Sequence, residues 1–290
     1  LSDIDLVVFS NAGKPLPKHY DGDLARWGDG EIRCETVDHH LSHAVGGFCF
    51  SGYPESLVFV ADAGGNDSET ESFYLFTRAG FEKLWRSDPE RPRCKGLGTT
   101  YEAFTNFLGF SDQESGKTMA LASYGRHDRW SSPLFEVSTR GQIRSVLEAT
   151  HQWGLRRFCT RNGLPWGEPF PSFDSDLARD IAAYVQSEFV HALQQSVSTV
   201  LRETGGNRLV ISGGVGLNCA ANSVLRQTMP IDLFAFPACS DCGLAIGNAL
   251  FGYWRLTGTF PSPADKSMLY GKEYTAEEIR DALLREPHTV

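Results

Sequence analysis

Short runs of consecutive apolar residues alternate with polar, glycine-rich stretches, a pattern typical of strands buried inside a sheet. The pattern predicts strands at 6–9, 57–61, 208–212 and 232–236. Two further strands, 72–76 and 81–85, flank Ala79-Gly80, a dipeptide that favours a hairpin turn. Together with the strand at 57–61, they predict three sequential antiparallel strands.

Apolar residues that recur every three to four positions predict amphipathic helices between these strands. The longest covers 175–204, with Asp174 expected to cap its start and Gly205 to end it. Others are predicted from the histidine-rich segment to about Phe50, and at 99–110, 222–229, 244–256 and 276–284. Strands and helices in this alternation indicate an α/β protein.

Three segments lack a sustained period. Residues 14–36 are polar and rich in Gly and Pro, which predicts a surface connection. Residues 126–171 place Trp130, Trp153 and Trp166 among Arg, Gly and Pro, and we expect an irregular insertion that serves as a lid or acceptor-binding surface rather than core. Residues 257–290 are interpreted as a linker toward something beyond the chain end.

Composition narrows the class of protein. The 290 residues, 41% of them hydrophobic, suffice for one large core or two moderate ones. A net charge of −9 argues against a general nucleic-acid binder. No apolar run reaches the ~20 residues of a membrane helix, and the N-terminus lacks the features of a signal peptide, so we expect a cytoplasmic protein.

The seven cysteines are odd in number and scattered, which fits reduced thiols better than a disulfide framework. Cys239 and Cys242 form a CxxC, but no second pair stands at zinc-finger spacing. We interpret them as small residues flanking Asp241 rather than as a zinc or redox site.

The segment Val37–Ala44 carries the chemistry on which the functional hypothesis depends. If it is helical, His39 and His43 stand one turn apart on one face, where two imidazoles can share a divalent ion. Asp62 and Asp241 follow buried strands and are the candidates to complete the site. Such an ion, with open positions, can polarise a carbonyl or phosphoryl oxygen.

Glycine-rich turns follow two of the predicted strands. Gly64 and Gly65 come directly after Asp62, where the missing Cβ lets the backbone approach a phosphate or other ligand. Gly213 and Gly214, with Asn218 a turn later, suit an adenine or ribose lying on the backbone, although the dinucleotide fingerprint does not fit.

The segment 113–125 contains Gly116-Lys117-Thr118, which ends like a P-loop. The upstream glycine that a P-loop requires is Ser111 here, so a P-loop is rejected. One interpretation has Glu114 accept hydrogen bonds from a ribose and Lys117 lie near phosphate. The alternative is a surface loop that leads into an apolar helix.

The order of elements resembles one half of the actin-like ATPase and sugar kinase superfold, which is ribonuclease H-like, with mixed sheets flanked by helices and its first half truncated. Five motifs in sequence resemble the O-carbamoyltransferases of nodulation-factor and antibiotic biosynthesis: His39-x-x-x-His43, the Asp62 loop, Glu114 to Gly125, Gly213 to Asn218, and Asp241-x-Gly243. A more distant likeness is to the tRNA threonylcarbamoyl-transfer proteins.

The resemblance implies a division into three parts. Residues 1–56 would be the remainder of a first subdomain with the metal-binding helix, and 57–260 a second subdomain with the insertion at 126–171. Residues 261–290 would link to a C-terminal domain that makes the adenylate. That domain and the family's N-terminal strands are absent, so we expect the chain to be the central part of a longer polypeptide and to turn over poorly alone.

The resemblance also implies an activity. His39, His43 and Asp241, with Asp62 alongside, would bind an iron-type divalent metal, and Gly213, Gly214 and Asn218 would border adenosine. A carbamoyl adenylate, made from carbamoyl phosphate and ATP, would donate its carbamoyl group to a hydroxyl of a small molecule.

Three alternatives stay open at this point. A kinase-like ATPase of the same superfold would need magnesium but no paired histidines. A non-catalytic nucleotide-binding module would leave the histidines without chemistry. Transfer of threonylcarbamoyl to tRNA is disfavoured by the acidic charge of the chain.

Overall fold

A computed structural model describes residues 4–10, 33–87, 96–147, 151–163, 174–263, 267–268 and 271–285. In chain order the strands are β1 (Val7–Ser10), β2 (Cys34–Val37), β3 (Glu55–Ala61), β4 (Glu71–Thr77), β5 (Gly80–Arg86), β6 (Phe135–Val137), β7 (Ile143–Ser145), β8 (Arg208–Ser212) and β9 (Asp232–Ala235). The helices are α1 (His39–Ser51), α2 (Leu97–Phe107), α3 (Ser115–Ala122), α4 (His151–Arg161), α5 (Asp176–Thr204), α6 (Cys219–Thr228), α7 (Leu244–Thr257) and α8 (Ala276–Arg285).

The central sheet of the described residues has the order β5-β4-β3-β8-β9. β3, β8 and β9 run parallel, and β4 and β5 continue the sheet antiparallel to β3, with Thr77 opposite Gly80 at their turn. The predicted antiparallel unit is therefore confirmed. Because the three parallel strands end at the same edge of the sheet, the loops that follow them meet there.

Side chains of β3 alternate between two cores. Leu57, Phe59 and Ala61 face a core shared with α2 and α5, whereas Val58 and Val60 face a core shared with α1 and α7. All five are at most 1% exposed. This alternation explains why the segment is a continuous apolar run, since a strand covered on both faces has no polar side. The predicted α/β class, a mixed sheet flanked by helices, is confirmed.

The insertion at 126–171 differs from the expectation of an irregular lid. Its described residues form the β6-β7 hairpin and α4, and Phe135, Ile143, Leu155 and Phe158 are buried in the same core as α2 and α5. The sequence pattern missed β6 and β7 because strands of three residues are too short to show a period. Trp166 lies outside the described residues.

Two local predictions are also wrong. Residues 34–36, expected within a surface connection, belong to β2, which pairs in parallel with β1. The cap of α5 is Ser175, whose hydroxyl accepts from the backbone N–H of Ala178, and not Asp174. The predicted stop is confirmed, since Gly205 has a left-handed conformation with φ of 69°. Among the described residues, no helix combines the length and apolar character needed to cross a membrane.

Candidate metal centre and adjoining cleft

Four side chains from three distant parts of the sequence meet at the edge where β3, β8 and β9 end. The imidazoles of His39 and His43 come from the first turns of α1, Asp62 follows β3, and Asp241 begins the short turn of 3-10 helix before α7. One ligand atom from each lies within 4.8 Å of the others. The structure thus brings together the four residues proposed as metal ligands, and that role stays a prediction.

The distances within this cluster fit coordination of one ion. His43 Nε2 lies 3.1 Å from Asp62 Oδ2 and 3.3 Å from Asp241 Oδ1. His39 Nε2 lies 3.6 Å from each of the same two oxygens. Ligand atoms about 2.1 Å from one metal ion are separated by about 3 to 3.5 Å when adjacent.

Hydrogen bonding within the cluster is incomplete. His39 Nε2, His43 Nε2 and Asp62 Oδ2 are buried without a hydrogen-bond partner. An orphaned buried polar atom is costly, and three of them aimed at one point call for a positive charge between them. Two imidazoles and two carboxylates are a donor set that suits a divalent transition metal, so the residues present fit such an ion.

Electrostatics keep the cluster ready for a cation. Burial would raise the pKa of Asp62, but His39 and His43 hold it well below its usual range. Burial would lower the pKa of His43, and Asp241 and Asp62 outweigh this and raise it. Asp241 is the most open member, with 71% of its side chain exposed against 15% for Asp62.

The start of α1 is fixed by two side chains that accept backbone hydrogen bonds. Asp38 caps the helix by accepting from the N–H of Leu41 over 3.0 Å. Asn66 Oδ1 accepts from the N–H of His39 over 2.9 Å and so ties the Asp62 loop to the helix. The role of Asn66 was missed from the sequence, because its partner is 27 residues away.

Close packing of α1 on α7 places Asp241. A Cβ on Gly247 of α7 would lie 2.0 Å from the carbonyl oxygen of Ser42 on α1. A Cβ on Gly47 would lie 2.8 Å from Val210 of β8, so that glycine lets α1 lie close to the sheet. The Ser42 hydroxyl also donates to the carbonyl of Leu244 over 3.1 Å. Small residues at these positions let the first turn of α7, and Asp241 before it, approach the histidines.

Behind the cluster, His40 belongs to a buried polar chain. Its Nδ1 lies 2.8 Å from the hydroxyl of Ser72, which donates to Glu69, and Lys83 donates to Glu69 over 3.1 Å. Since Ser72 uses its hydrogen on Glu69, Nδ1 of His40 is the donor. Burial is the main reason why the pKa of His40 is well below its usual value, and the neighbouring His39 and His43 lower it further. The ring is therefore neutral.

A cleft of about 560 Å³ adjoins the cluster. Asp62 and Asp241 are among its lining residues, as are Gly214 and Asn218, which were predicted to border adenosine. Further lining residues, none of which was individually proposed as a site residue from the sequence, include Tyr101, Glu102, Asp112, Met119, Phe189, Val215, Leu217 and Cys242. None of the side chains that line it, within the described ranges, is cationic.

Close packing within the protein explains three of the four predicted glycines. Gly213 has φ of 83°, and a Cβ there would lie 2.3 Å from the carbonyl oxygen of Ala61. A Cβ on Gly214 would lie 3.2 Å from Asp62 Oδ1. Gly65 packs against His40, whereas Gly64 faces open space. Gly64, Gly65 and Gly213 are not part of the cleft lining.

Glu114 and Lys117 pair with each other. Glu114 also accepts from the N–H of Ser111 over 2.8 Å, which completes a capping box before α3. Neither residue lines the cleft, although their neighbours Gln113 and Gly116 do. Their roles toward ribose and phosphate stay predictions.

Comparison with known proteins identifies the family. The family model described as "Carbamoyltransferase N-terminus" matches residues 31–250, a range that includes all four cluster residues and the cleft. The chain therefore belongs to the carbamoyltransferase family, which confirms the resemblance inferred from the motifs.

Three relatives illustrate the family's range. Nodulation protein NolNO of Sinorhizobium fredii is 32% identical over 83% of this chain and 34% of its own length. The 3'-hydroxymethylcephem-O-carbamoyltransferase of Streptomyces clavuligerus is 25% identical over 87% of this chain and 47% of its own. A tRNA N6-adenosine threonylcarbamoyltransferase of Thermomicrobium roseum is 26% identical over 53% and 45%. This chain thus spans less than half the length of these relatives.

Among solved structures, a full-length HypF in a phosphate- and nucleotide-bound form aligns with a TM-score of 0.56. It is 14% identical, and the alignment covers 90% of this chain and 48% of HypF. At that identity the likeness concerns the fold.

Proposed function

We propose that this chain carries the transfer centre of an O-carbamoyltransferase, which moves a carbamoyl group from carbamoyl adenylate to a hydroxyl of a small molecule. The donor would be formed from carbamoyl phosphate and ATP elsewhere in the longer polypeptide. The observation that supports it best is the convergence of His39, His43, Asp62 and Asp241 at one end of a cleft whose wall includes Gly214 and Asn218.

The four cluster residues would hold a divalent metal, with iron as the proposed identity. When bound, such an ion supplies a Lewis acid that polarises the carbamoyl and phosphate oxygens. Two imidazoles with carboxylates and open positions are typical of iron(II) sites. The chain's own contribution is geometric, because α1, β3 and α7 fix the ligand atoms before substrate arrives.

The cleft would orient the donor. Its end at Asp62 and Asp241 would receive the reactive carbamoyl-phosphate linkage, and its wall at Gly214 and Asn218 the adenosine. The apolar side chains of Met119, Phe189 and Val215 would reduce the water around the donor and so favour transfer to an acceptor over hydrolysis.

The charge of the cleft favours this donor over a nucleoside triphosphate. Asp62, Asp112 and Asp241 line it, and its described lining residues include no lysine or arginine. An adenylate has a single phosphate, whereas a triphosphate has several negative charges that these carboxylates would repel. This supports the transferase over the kinase-like alternative.

The test measures metal and transfer separately. The purified chain, loaded with iron(II) without oxygen, is expected to retain about one ion by elemental analysis, and His39→Ala to lose it. Transfer is assayed in a polypeptide of the relatives' length that contains this chain, with ATP, carbamoyl phosphate and a hydroxylated acceptor. Failure of the wild-type chain to retain any transition metal would sink the proposal.

A further inference from the structure

Two side-chain amides pair with each other beside the cleft. Gln186 Nε2 donates to Asn218 Oδ1 over 3.1 Å, and Asn218 Nδ2 donates back to Gln186 Oε1 over 3.0 Å. The hydroxyl of Tyr101 also donates to Gln186 Oε1, over 2.7 Å. Tyr101 and Asn218 line the cleft, whereas Gln186 stands behind them on α5.

The direction of these hydrogen bonds is fixed by the backbone. The N–H of Ala221 donates to Asn218 Oδ1 over 3.0 Å, so this atom is the carbonyl oxygen of the amide. Asn218 Oδ1 therefore accepts two hydrogen bonds, from Ala221 and Gln186. Gln186 Oε1 likewise accepts two, from Tyr101 and Asn218. On the two residues that line the cleft, the groups not used in this network are one N–H of Asn218 and the lone pairs of the Tyr101 hydroxyl.

We propose that Gln186 is a positioning residue that sets this donor-and-acceptor pattern, and that the pattern reads the edge of an adenine base. The inference rests on the proposed function, which places adenosine at this wall. The Asn218 N–H would meet a ring-nitrogen acceptor, and the Tyr101 oxygen would accept from the exocyclic amino group. The apolar groups of Met119 and Phe189 line the same cleft and provide surfaces for a planar ring.

Adenine and hypoxanthine differ in the hydrogen-bonding groups that they present along this edge. Adenine presents an amino donor beside a ring-nitrogen acceptor, whereas hypoxanthine presents a carbonyl acceptor beside a ring N–H donor. A wall with a fixed pattern therefore distinguishes AMP from IMP, because the wrong base leaves both wall groups unpaired. If the amide of Asn218 is free to turn, the wall no longer distinguishes the two nucleotides.

The experiment measures the affinity of the iron-loaded chain for AMP and IMP by calorimetry. The substitution Gln186→Met keeps a side chain of similar length but removes its amide. It is expected to weaken AMP binding about tenfold or more, to leave IMP nearly unchanged and to leave the metal content as in wild type. The matched control is Gln194→Met on the same helix, which loses a hydrogen bond to Thr228, a residue outside the cleft lining.

Each outcome decides the matter. A preference for AMP that falls in Gln186→Met but not in Gln194→Met supports the assignment. Equal weakening of both nucleotides shows a merely structural role and overturns it, as does unchanged AMP binding. If Gln186→Met does not fold, Tyr101→Phe decides by the same ratio. A wild-type chain that holds metal without binding AMP overturns this inference, whereas loss of the metal itself overturns the proposed function.

Discussion

At the scale of single residues, the contact between Gly65 and His40 holds the Asp62 loop against the histidine helix. A Cβ on Gly65 would lie 2.6 Å from Cδ2 and 3.0 Å from Nε2 of the His40 ring. The ring cannot retreat easily, because it is fully buried and bound to Ser72. Only glycine fits this position without displacing the ring.

Gly65→Ala is therefore expected to lower the free energy of unfolding by about 1 to 3 kcal/mol, the usual cost of overpacking. It should also reduce iron retention, since the displaced ring stands next to His39. Urea denaturation and elemental analysis check the two effects. The neighbouring Gly64→Ala is the control, because nothing lies within 4 Å of a Cβ there. Equal effects at the two glycines would contradict the assigned contact.

The metal should also stabilise the fold. An ion that binds the folded cluster and not the unfolded chain raises the melting temperature in proportion to its saturation. We expect a chelator to lower the Tm of the wild-type chain and to have no effect on His43→Ala. Scanning calorimetry with and without chelator measures this, and a Tm in wild type that ignores the chelator would count against the site.

The four proposed metal ligands were predictable from the sequence, but the residues that hold them and the cleft wall in position were not. His39 and His43 are one turn apart, and Asp62 and Asp241 follow strands, so local pattern selected them. Asn66, Ser42 and Gln186 act on partners far away in the chain, and nothing local marks them. A hydrogen bond between distant residues leaves no periodic signal in one sequence.

At the scale of elements, α2 begins on a buried carboxylate. Glu71 accepts from the N–H of Leu97 and from the hydroxyl of Thr70, each over 2.6 Å. Burial raises the pKa of Glu71 to about 7 from its ordinary 4.5. The helix carries Gly98 and Tyr101 into the cleft, so this carboxyl group anchors part of the cleft wall.

The raised pKa predicts how stability varies with pH. Between pH 4.5 and about 7, folded Glu71 holds a proton that the unfolded chain has released, so the free energy of unfolding falls as pH rises through this window. Glu71→Gln cannot release a proton, so we expect its free energy of unfolding to fall less across this pH window than that of wild type. The difference should be roughly 3 kcal/mol at most. Urea midpoints across the window measure it, with exposed Glu82→Gln as the control. A slope identical to wild type would contradict it.

Most elements could be predicted because their apolar positions recur over at least one full period. β3, β8 and α5 are long or continuous; β8 has its predicted range, whereas α5 starts one residue later and β3 two residues earlier than predicted. β2, with the sequence Cys-Glu-Thr-Val, has no apolar run, and the β6 and β7 strands have three residues each, too few to distinguish a strand from a loop. Tertiary packing, rather than local preference, decides such short segments.

At the scale of the whole molecule, the inserted segment is part of the main core. Phe158 on α4 is 3% exposed and packs on Tyr184 of α5 and Phe104 of α2, with ring centroids 5.6 and 5.1 Å apart. α4 therefore links the insertion to the helices that cover the central sheet. A lid would not bury its aromatic residues in this way.

Phe158→Ala is expected to destabilise the entire fold by about 3 to 5 kcal/mol. Unfolding should stay a single transition, with the same midpoint by far-UV and near-UV circular dichroism. Thr160→Ala, an exposed change on the same helix, should have little effect. Early, separate melting of the insertion in Phe158→Ala would instead indicate an independent lid.

The unequal exposure of the four proposed ligands implies an order in which an ion could enter. His39, His43 and Asp62 are set by the packed core, while Asp241 stands at the solvent side. An ion arriving through the cleft would meet the carboxylate of Asp241 first. It would leave by the same route once the side chain of Asp241 rotates. Exchange with external ions should then be much faster than global unfolding, so the centre would be supplied after synthesis rather than trapped during it.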